Sequence, residues 1–109
     1  MIFDCYRPRT CMTGQLFELT GFQRDILTVI AGLDRPSGQD VKEELQKDIG
    51  DINHGRLYPN LDAVVEEGYV EKGEIDRRTN YYALSEQGYE ALKRRREWEN
   101  STVDKLGER

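Results

Sequence analysis

Apolar residues recur every three or four positions in two consecutive segments after residue 20, which predicts two amphipathic helices. The first segment follows Thr20 and Gln23, a capping-box pair typical of a helix start. Its apolar stripe consists of Phe22, Ile26, Leu27, Ile30 and Leu33. The second segment follows Ser37, is more polar, and stops at Gly50, a residue that favours a helix end. The pattern therefore predicts one well-buried helix followed by a partly buried one.

The third apolar segment, "HGRLYPNLDAVVEEGYV" at residues 54–70, contains a residue that disrupts helices. Its apolar stripe consists of Leu57, Leu61, Val64 and Val65. Pro59 lies inside this pattern, where it removes a backbone donor. A helix that starts near Arg56 or Leu57 tolerates Pro59, because the first four N–H groups of a helix lack partners. A helix that starts at His54 would instead have a loosened first turn.

The outward side of this third helix carries mostly small groups. Its residues are Gly55, Arg56, Pro59 and Ala63. Small side chains allow a helix backbone to approach another surface closely, and Arg56 is the one long side chain among them. This combination is typical of a helix that enters the major groove of DNA.

Two extended stretches and a long helix follow. "YVEKGEI" and "NYYALS" are β-prone and flank the turn "DRRT", which predicts a hairpin. We expect Val70, Ile75, Tyr82 and Leu84 to point inward. Ser85 can cap the last helix, whose thin apolar stripe suits packing against a partner. The residues of that stripe are Tyr89, Leu92, Val103 and Leu106, with Trp98 in addition.

Three helices followed by a hairpin predict a mainly α fold with a small β-hairpin, the winged helix-turn-helix, plus a long C-terminal dimerisation helix. We expect an N-terminal arm at residues 1–19, which docks through Leu16, Phe17 and Leu19. The DNA-binding domain is expected at residues 20–84 and the dimerisation helix at 85–109.

Composition adds weaker constraints. The 109 residues suffice for one domain, but 34% are charged, so burial through self-association is expected. The net charge of −5 argues weakly against nucleic acid as a partner, although it also fits proteins that work in concentrated salt. We expect a cytoplasmic protein, since no membrane-spanning run or signal peptide is present. One histidine and no glycine-rich phosphate loop predict no enzyme activity, no metal and no cofactor.

The run "GRLYPNLDAVVEEGYVEKGEIDRRTNYYALSEQGYEAL" resembles PadR-like transcriptional regulators. The residues that match the family's recognition helix are Leu57, Tyr58, Pro59, Leu61, Val64 and Gly68. Those that match the strand and helix after the wing are Tyr81, Tyr82, Leu84, Ser85 and Gly88. The resemblance spans residues 19–92 and implies a homodimeric DNA-binding regulator, usually a repressor, that dimerises through its C-terminal helix. The small cationic excess on the predicted DNA face and the arm with Cys5 and Cys11 depart from the family pattern.

Individual residues can be given expected roles in DNA binding. Arg56 is the expected base reader, because a guanidinium can bind guanine O6 and N7 together. Asn60 could contact adenine or a phosphate, and Asn53 and His54 lie at the helix start, where phosphates bind favourably. The remaining expected contacts are Gly55, Tyr58 through its hydroxyl, Pro59, and the wing arginines Arg77 and Arg78. The run "KRRR" at residues 93–96 points all round its helix and is left out of the site.

Two alternatives stay open at this point. One is a sensor whose DNA binding responds to a small-molecule effector at Trp98, or to oxidation of Cys5 and Cys11. The other is a winged-helix protein-interaction module that does not bind DNA, as the acidic balance could suggest.

Overall fold

The computed structural model describes residues 15–107, which form four helices and one antiparallel hairpin. The elements are α1 (Gly21–Gly32), α2 (Gly38–Ile49), α3 (His54–Glu66), β1 (Val70–Asp76), β2 (Thr79–Leu84) and α4 (Glu86–Gly107). The predicted mainly helical, winged arrangement is confirmed. The predictions for Cys5, Cys11 and the rest of residues 1–14 lie outside the described residues.

The predicted helix boundaries rest on local signals that the structure confirms. Thr20 and Gln23 form a complete capping box at the start of α1, and Ser37 and Asp40 do the same for α2. Gly50 ends α2 with a φ of 98°, in the region that favours glycine. Side-chain and backbone hydrogen bonds at the chain turns therefore set where each helix begins and ends.

One core joins the three helices and the hairpin. Each predicted apolar stripe faces this core. The two largest fully buried side chains are Tyr69 and Tyr82. The buried helix residues are Ile26, Leu27, Ile30, Val41, Leu45, Leu57, Leu61 and Val64. Phe22, Val65, Leu84 and Leu92 are partly buried against this cluster. Apolar periodicity therefore predicted which side of each of the three helices faces the core.

The hairpin corrects one prediction. Val70 and Tyr82 point inward as expected, but Ile75 is wrong, because its side chain is 57% exposed. The register of the strands shifts between Glu74 and Asp76, so Ile75 occupies an irregularity in which strict alternation is lost.

A turn at residues 15–19, which we call the N-terminal turn, is fastened to the body. Leu16 and Leu19 are buried, as expected for the docking residues of the arm, whereas Phe17, the third expected docking residue, is 51% exposed. The guanidinium of Arg24 donates to the backbone oxygens of both, at 3.2 and 2.8 Å. Arg95 of α4 donates to the carbonyl of Gln15 at 3.3 Å. These bonds tie the N-terminal turn to α1 and α4 at once.

Helix α4 leaves the body at a close contact. Ser85 caps it, accepting a hydrogen bond from the N–H of Gly88 at 2.9 Å. A Cβ at Gly88 would lie 2.0 Å from the carbonyl oxygen of Tyr69, so only glycine fits there. No helix within residues 15–107 is both long and apolar enough to cross a membrane.

Candidate nucleic-acid interface

Helix α3 begins at His54, earlier than the start near Arg56 or Leu57 that would leave Pro59 without cost. Asn53 caps it through a 2.8 Å hydrogen bond from the N–H of Arg56 to its side chain. Pro59 is the sixth residue and cannot donate to the carbonyl of Gly55 one turn earlier. The structure thus corresponds to the second expectation, in which the first turn lacks one backbone bond.

The outward side of the first half of α3 is bare. His54, Gly55, Arg56 and Pro59 are all exposed, and we call this surface the α3 face. A Cβ built on Gly55 would have only the side-chain oxygen of Asn53 nearby, at 3.3 Å. At Gly55 and Pro59, an approaching ligand therefore meets the helix backbone with little side-chain bulk, beside the guanidinium of Arg56.

Charge changes sign along the same side of α3. The second half of the helix exposes Asp62 and Glu66, whereas the first half exposes Arg56. The N-terminus of a helix also carries the positive end of its dipole. A polyanion is therefore attracted to the first half of α3 and repelled from the second.

The start of α1 packs beside the α3 face, which sequence reasoning missed. The guanidinium carbon of Arg56 lies 3.9 Å from the ring centroid of Phe22. The side-chain amide of Gln23 donates to the amide oxygen of Asn60 at 2.9 Å. Asn60 in turn donates to the carbonyl of Arg56 at 2.8 Å. Phe22 was predicted only as part of the apolar stripe of α1. Because its ring is half-buried, it contacts both the core and the guanidinium of Arg56.

Tyr58 lies between α3 and the start of α2. Its ring is half-buried, as expected, and it lies 5.5 Å from the His54 ring, centroid to centroid. A Cβ at Gly38 would lie only 2.5 Å from the Tyr58 hydroxyl, so the absence of a side chain there creates the space for the ring. Burial, and after it the charge of Asp62, raises the pKa of the Tyr82 hydroxyl.

The tip of the hairpin presents the two predicted wing arginines to solvent. Arg77 and Arg78 form the turn between the strands and are exposed. The carboxylate of Asp76 accepts hydrogen bonds from the N–H groups of Arg78 and Thr79, at 2.9 and 3.0 Å. The turn is thus held by the Asp76 side chain through backbone N–H groups, and these bonds do not use either guanidinium group.

The hairpin is also connected to α3. Lys72 of β1 lies 3.8 Å from the carboxylate of Asp62, a partly exposed pair that contributes little energy but favours one relative orientation. On the opposite strand, the Tyr81 ring covers Gly73, where a Cβ would be 2.5 Å from that ring. The ion pair thus links β1 to the second half of α3.

The run at residues 93–96 is not one basic stripe. Arg95 lies between the rings of Phe17 and Trp98, at 5.2 and 4.9 Å from their centroids. It also pairs with Glu99 at 3.0 Å. Its exclusion from the DNA site is consistent with these contacts.

Helix α4 exposes apolar side chains on one side. Tyr89, Val103 and Leu106 are 58%, 56% and 58% exposed, and Leu92 on the same side is partly buried against the core. At about 100° per residue, Trp98 lies roughly 130° away from this stripe. Its ring meets Phe17 edge to face, with 5.0 Å between centroids. Trp98 therefore contacts the N-terminal turn of its own chain.

Clefts border the body-proximal part of α4. One, of about 820 Å³, lies between α1 and α4 and is lined by residues that include Arg24, Thr28 and Arg95. Another, of about 440 Å³, is lined by Leu84, Tyr89 and others. Among residues 15–107, no group of three or more His, Cys, Asp and Glu side chains is arranged to hold a metal ion.

Comparisons with known proteins agree with this geometry. The family model for PadR-like transcriptional regulators matches residues 26–94. RosR of H. salinarum, in a structure grown from NaBr, is 47% identical with a TM-score of 0.73, covering 83% of this chain and 79% of RosR. The complex structure of hsRosR-S4 gives 46% identity and a TM-score of 0.76, covering 85% of this chain and 78% of that one.

A more distant structure shows the fold alone. The protein smu.1704 from Streptococcus mutans UA159 is 23% identical with a TM-score of 0.60, covering 79% of this chain and 85% of its own. No curated protein matches the sequence. The family model and the 46–47% identities show the family of the chain as well as its fold. The chain belongs to the PadR-like family of transcriptional regulators and is a DNA-binding protein with a winged helix fold.

Proposed function

We propose that this regulator binds duplex DNA as a homodimer, with the α3 face in the major groove and the wing on the flanking backbone. The observation that carries the proposal is the bare surface at Gly55 and Pro59 beside an exposed Arg56. A helix must bring its backbone close to the base edges to read them, and the recognition helices of such folds do so with their N-terminal residues.

Arg56 is the proposed base reader. It is the only arginine or lysine on α3, and its planar guanidinium can bind guanine O6 and N7 in a bidentate manner. Asn60 keeps one N–H and one oxygen lone pair beyond its two hydrogen bonds, so it can make a further contact with a base or a phosphate.

Phosphate contacts are proposed around the start of α3 and at the wing. The N–H groups near Asn53 and His54 face outward at the positive end of the helix dipole, which favours an anion. The Tyr58 hydroxyl lies beside the start of α2, in a cleft of about 210 Å³ that is also lined by Arg78. Arg77 and Arg78 extend this surface toward the flanking backbone or minor groove.

The homodimer is proposed to form through α4. Its exposed stripe of Tyr89, Val103 and Leu106 continues into Leu92 and the cleft between α1 and α4. Exposure of three large apolar side chains to water on one helix is unfavourable. Packing against a second copy of the chain would bury them. Trp98 contributes by fixing the N-terminal turn beside this surface.

Repression is the proposed regulatory outcome. A dimer places two α3 faces and two wings on neighbouring segments of DNA, which blocks access of polymerase to a promoter that overlaps the site. Transcription in vitro from such a promoter should fall as the protein is added. Increased transcription would contradict repression while leaving DNA binding intact.

The test of the proposed reader uses a duplex that the wild-type protein recovers from a randomised DNA pool. Affinity is measured for this duplex and for its single base-pair variants. Arg56→Ala should lose about 1–3 kcal/mol of discrimination at one base pair of each half-site. Lys47→Ala removes the same charge from α2, away from the α3 face, and should leave discrimination unchanged.

An unchanged specificity profile in Arg56→Ala would overturn Arg56 as reader. Equal losses in Arg56→Ala and Lys47→Ala would show that only net charge matters. Complete absence of selected sequences with the wild-type protein would favour a winged-helix module that acts on another protein.

A further inference from the structure

We propose that Phe22 is a positioning residue for sequence reading: its ring is the platform that holds the Arg56 guanidinium at the α3 face. The inference rests on the proposed function, because it assumes that Arg56 contacts DNA. It goes beyond it by assigning specificity to a residue of α1, outside the recognition helix and the wing.

The ring itself is held in place. Phe22 is the second residue of α1, directly after the N-cap Thr20 and Gly21, and its side chain is half-buried against the core cluster. Thr20 and Gln23 exchange two hydrogen bonds, at 3.1 and 3.2 Å, which fix the turn that carries it. Its position is thus set by the core and by the cap of α1.

The contact suits a reader that must stay available. Arg56 is exposed, and its guanidinium carbon lies 3.9 Å from the ring centroid of Phe22. An arginine side chain loses considerable rotamer entropy when it is fixed, and a platform removes part of that loss before DNA arrives. Attraction to the ring's π face uses no N–H donor, so the donors of the guanidinium remain for a base.

The same turn of α1 restrains a second residue of α3. Gln23 completes the capping box and also donates to Asn60, which donates to the carbonyl of Arg56. The first turn of α1 therefore holds both the backbone and the side chain of Arg56. This pairing of two contacts on one residue is what distinguishes the arrangement from incidental packing.

The experiment is a double-mutant cycle on the selected duplex and its single base-pair variants. Phe22→Leu keeps an apolar side chain and loses the ring, and Phe22→Tyr keeps the ring. Phe22→Leu should lower discrimination at the Arg56-dependent base pair by about two- to fivefold, the range of an exposed cation–π contact. Phe22→Tyr should retain it. In the Arg56→Ala background, Phe22→Leu should have no further effect.

A readout without DNA keeps the inference testable if a variant is unstable. The Hε proton of Arg56, assigned by its loss in Arg56→Lys, should be shifted upfield by the ring in the wild-type protein and in Phe22→Tyr. Phe22→Leu should abolish that shift. An unshifted wild-type resonance would show that the platform does not form in solution and would overturn the inference.

The cycle separates this inference from the proposed function. If Arg56→Ala loses discrimination and Phe22→Leu does not, the platform role is wrong and Arg56 remains the reader. If Phe22→Leu raises affinity, the ring competes with DNA for Arg56, which also overturns the inference. If Arg56→Ala itself has no effect on discrimination, Arg56 is not the base reader, and the platform role of Phe22 is wrong with it.

Discussion

The amide nitrogen of Gln23 lies 2.9 Å from the amide oxygen of Asn60, joining the first turn of α1 to the middle of α3. Gln23 also completes the capping box of α1, so one side chain performs a local and a long-range task. The relationship means that the stability of the α1 start and the geometry of the α3 face are linked.

Replacing Gln23 should therefore cost more than replacing the equivalent cap of α2. Gln23→Ala loses a capping bond and leaves the half-buried Asn60 oxygen without its protein donor, together about 1–3 kcal/mol. Asp40→Ala loses a capping bond and the negative charge in the first turn of α2, and should cost about 1 kcal/mol. Urea unfolding of both variants measures the difference. Equal losses would show that the bond to Asn60 contributes nothing to stability.

Side chains added at Gly55 should separate folding from DNA binding. Gly55→Ala gains about 1 kcal/mol of helix propensity, which offsets the tight 3.3 Å approach to Asn53, so the free energy of unfolding should change little. Gly55→Leu should stay folded but lose DNA affinity by tenfold or more (about 1.4 kcal/mol or more), because a bulky group blocks groove entry. Thermal unfolding and fluorescence anisotropy with the selected duplex check the two halves. Normal affinity in folded Gly55→Leu would contradict groove entry by this surface.

The wing should contribute to affinity through phosphate charge. Each phosphate contact adds about 0.9 to the slope of log K against log salt, so Arg78→Ala in a dimer should reduce that slope by about 2. Discrimination between base pairs should fall far less than overall affinity. The control Lys47→Ala should leave the slope unchanged, since Lys47 lies on α2 beside Glu44. A slope equal to wild type in Arg78→Ala would show that the wing does not reach the backbone.

Charged residues in the α4 stripe should dissociate the proposed dimer. Val103→Asp and Leu106→Asp place carboxylates where apolar side chains that are 56% and 58% exposed now lie. Sedimentation should show the double variant as a monomer, and the protomer should stay folded because neither side chain belongs to its core. Ser101→Asp, on the opposite side of α4 at about 100° per residue, is the matched control and should stay dimeric. A wild-type protein that sediments as a monomer at working concentrations would contradict the dimer.

Sequence patterns were sufficient for the elements because their signals are local. Capping boxes at Thr20 and Ser37, glycine at residue 50 and alternation in the hairpin all depend on residues within a few positions of one another. The burial of α1, α2 and α3 followed from the same periodicity. Local chemistry therefore predicted the architecture and the approximate position of the α3 face.

What the sequence missed depends on residues distant in the chain. Nothing near Phe22 or Gln23 indicates that α3 lies beside them, so their contacts with Arg56 and Asn60 become visible only in the folded chain. Ile75 was placed inward because alternation was assumed to continue through an irregular register. Trp98 was grouped with the α4 stripe by residue type, although helical geometry turns it toward the N-terminal turn.

The most direct test of the central claim, that the α3 face and the wing contact DNA, is an NMR titration of the protein with the selected duplex. The account predicts that amide resonances from His54 to Asn60 and at Arg77 and Arg78 shift most, while those lining the cleft between α1 and α4 shift little. Largest shifts in that cleft, with an unperturbed α3 face, would contradict it.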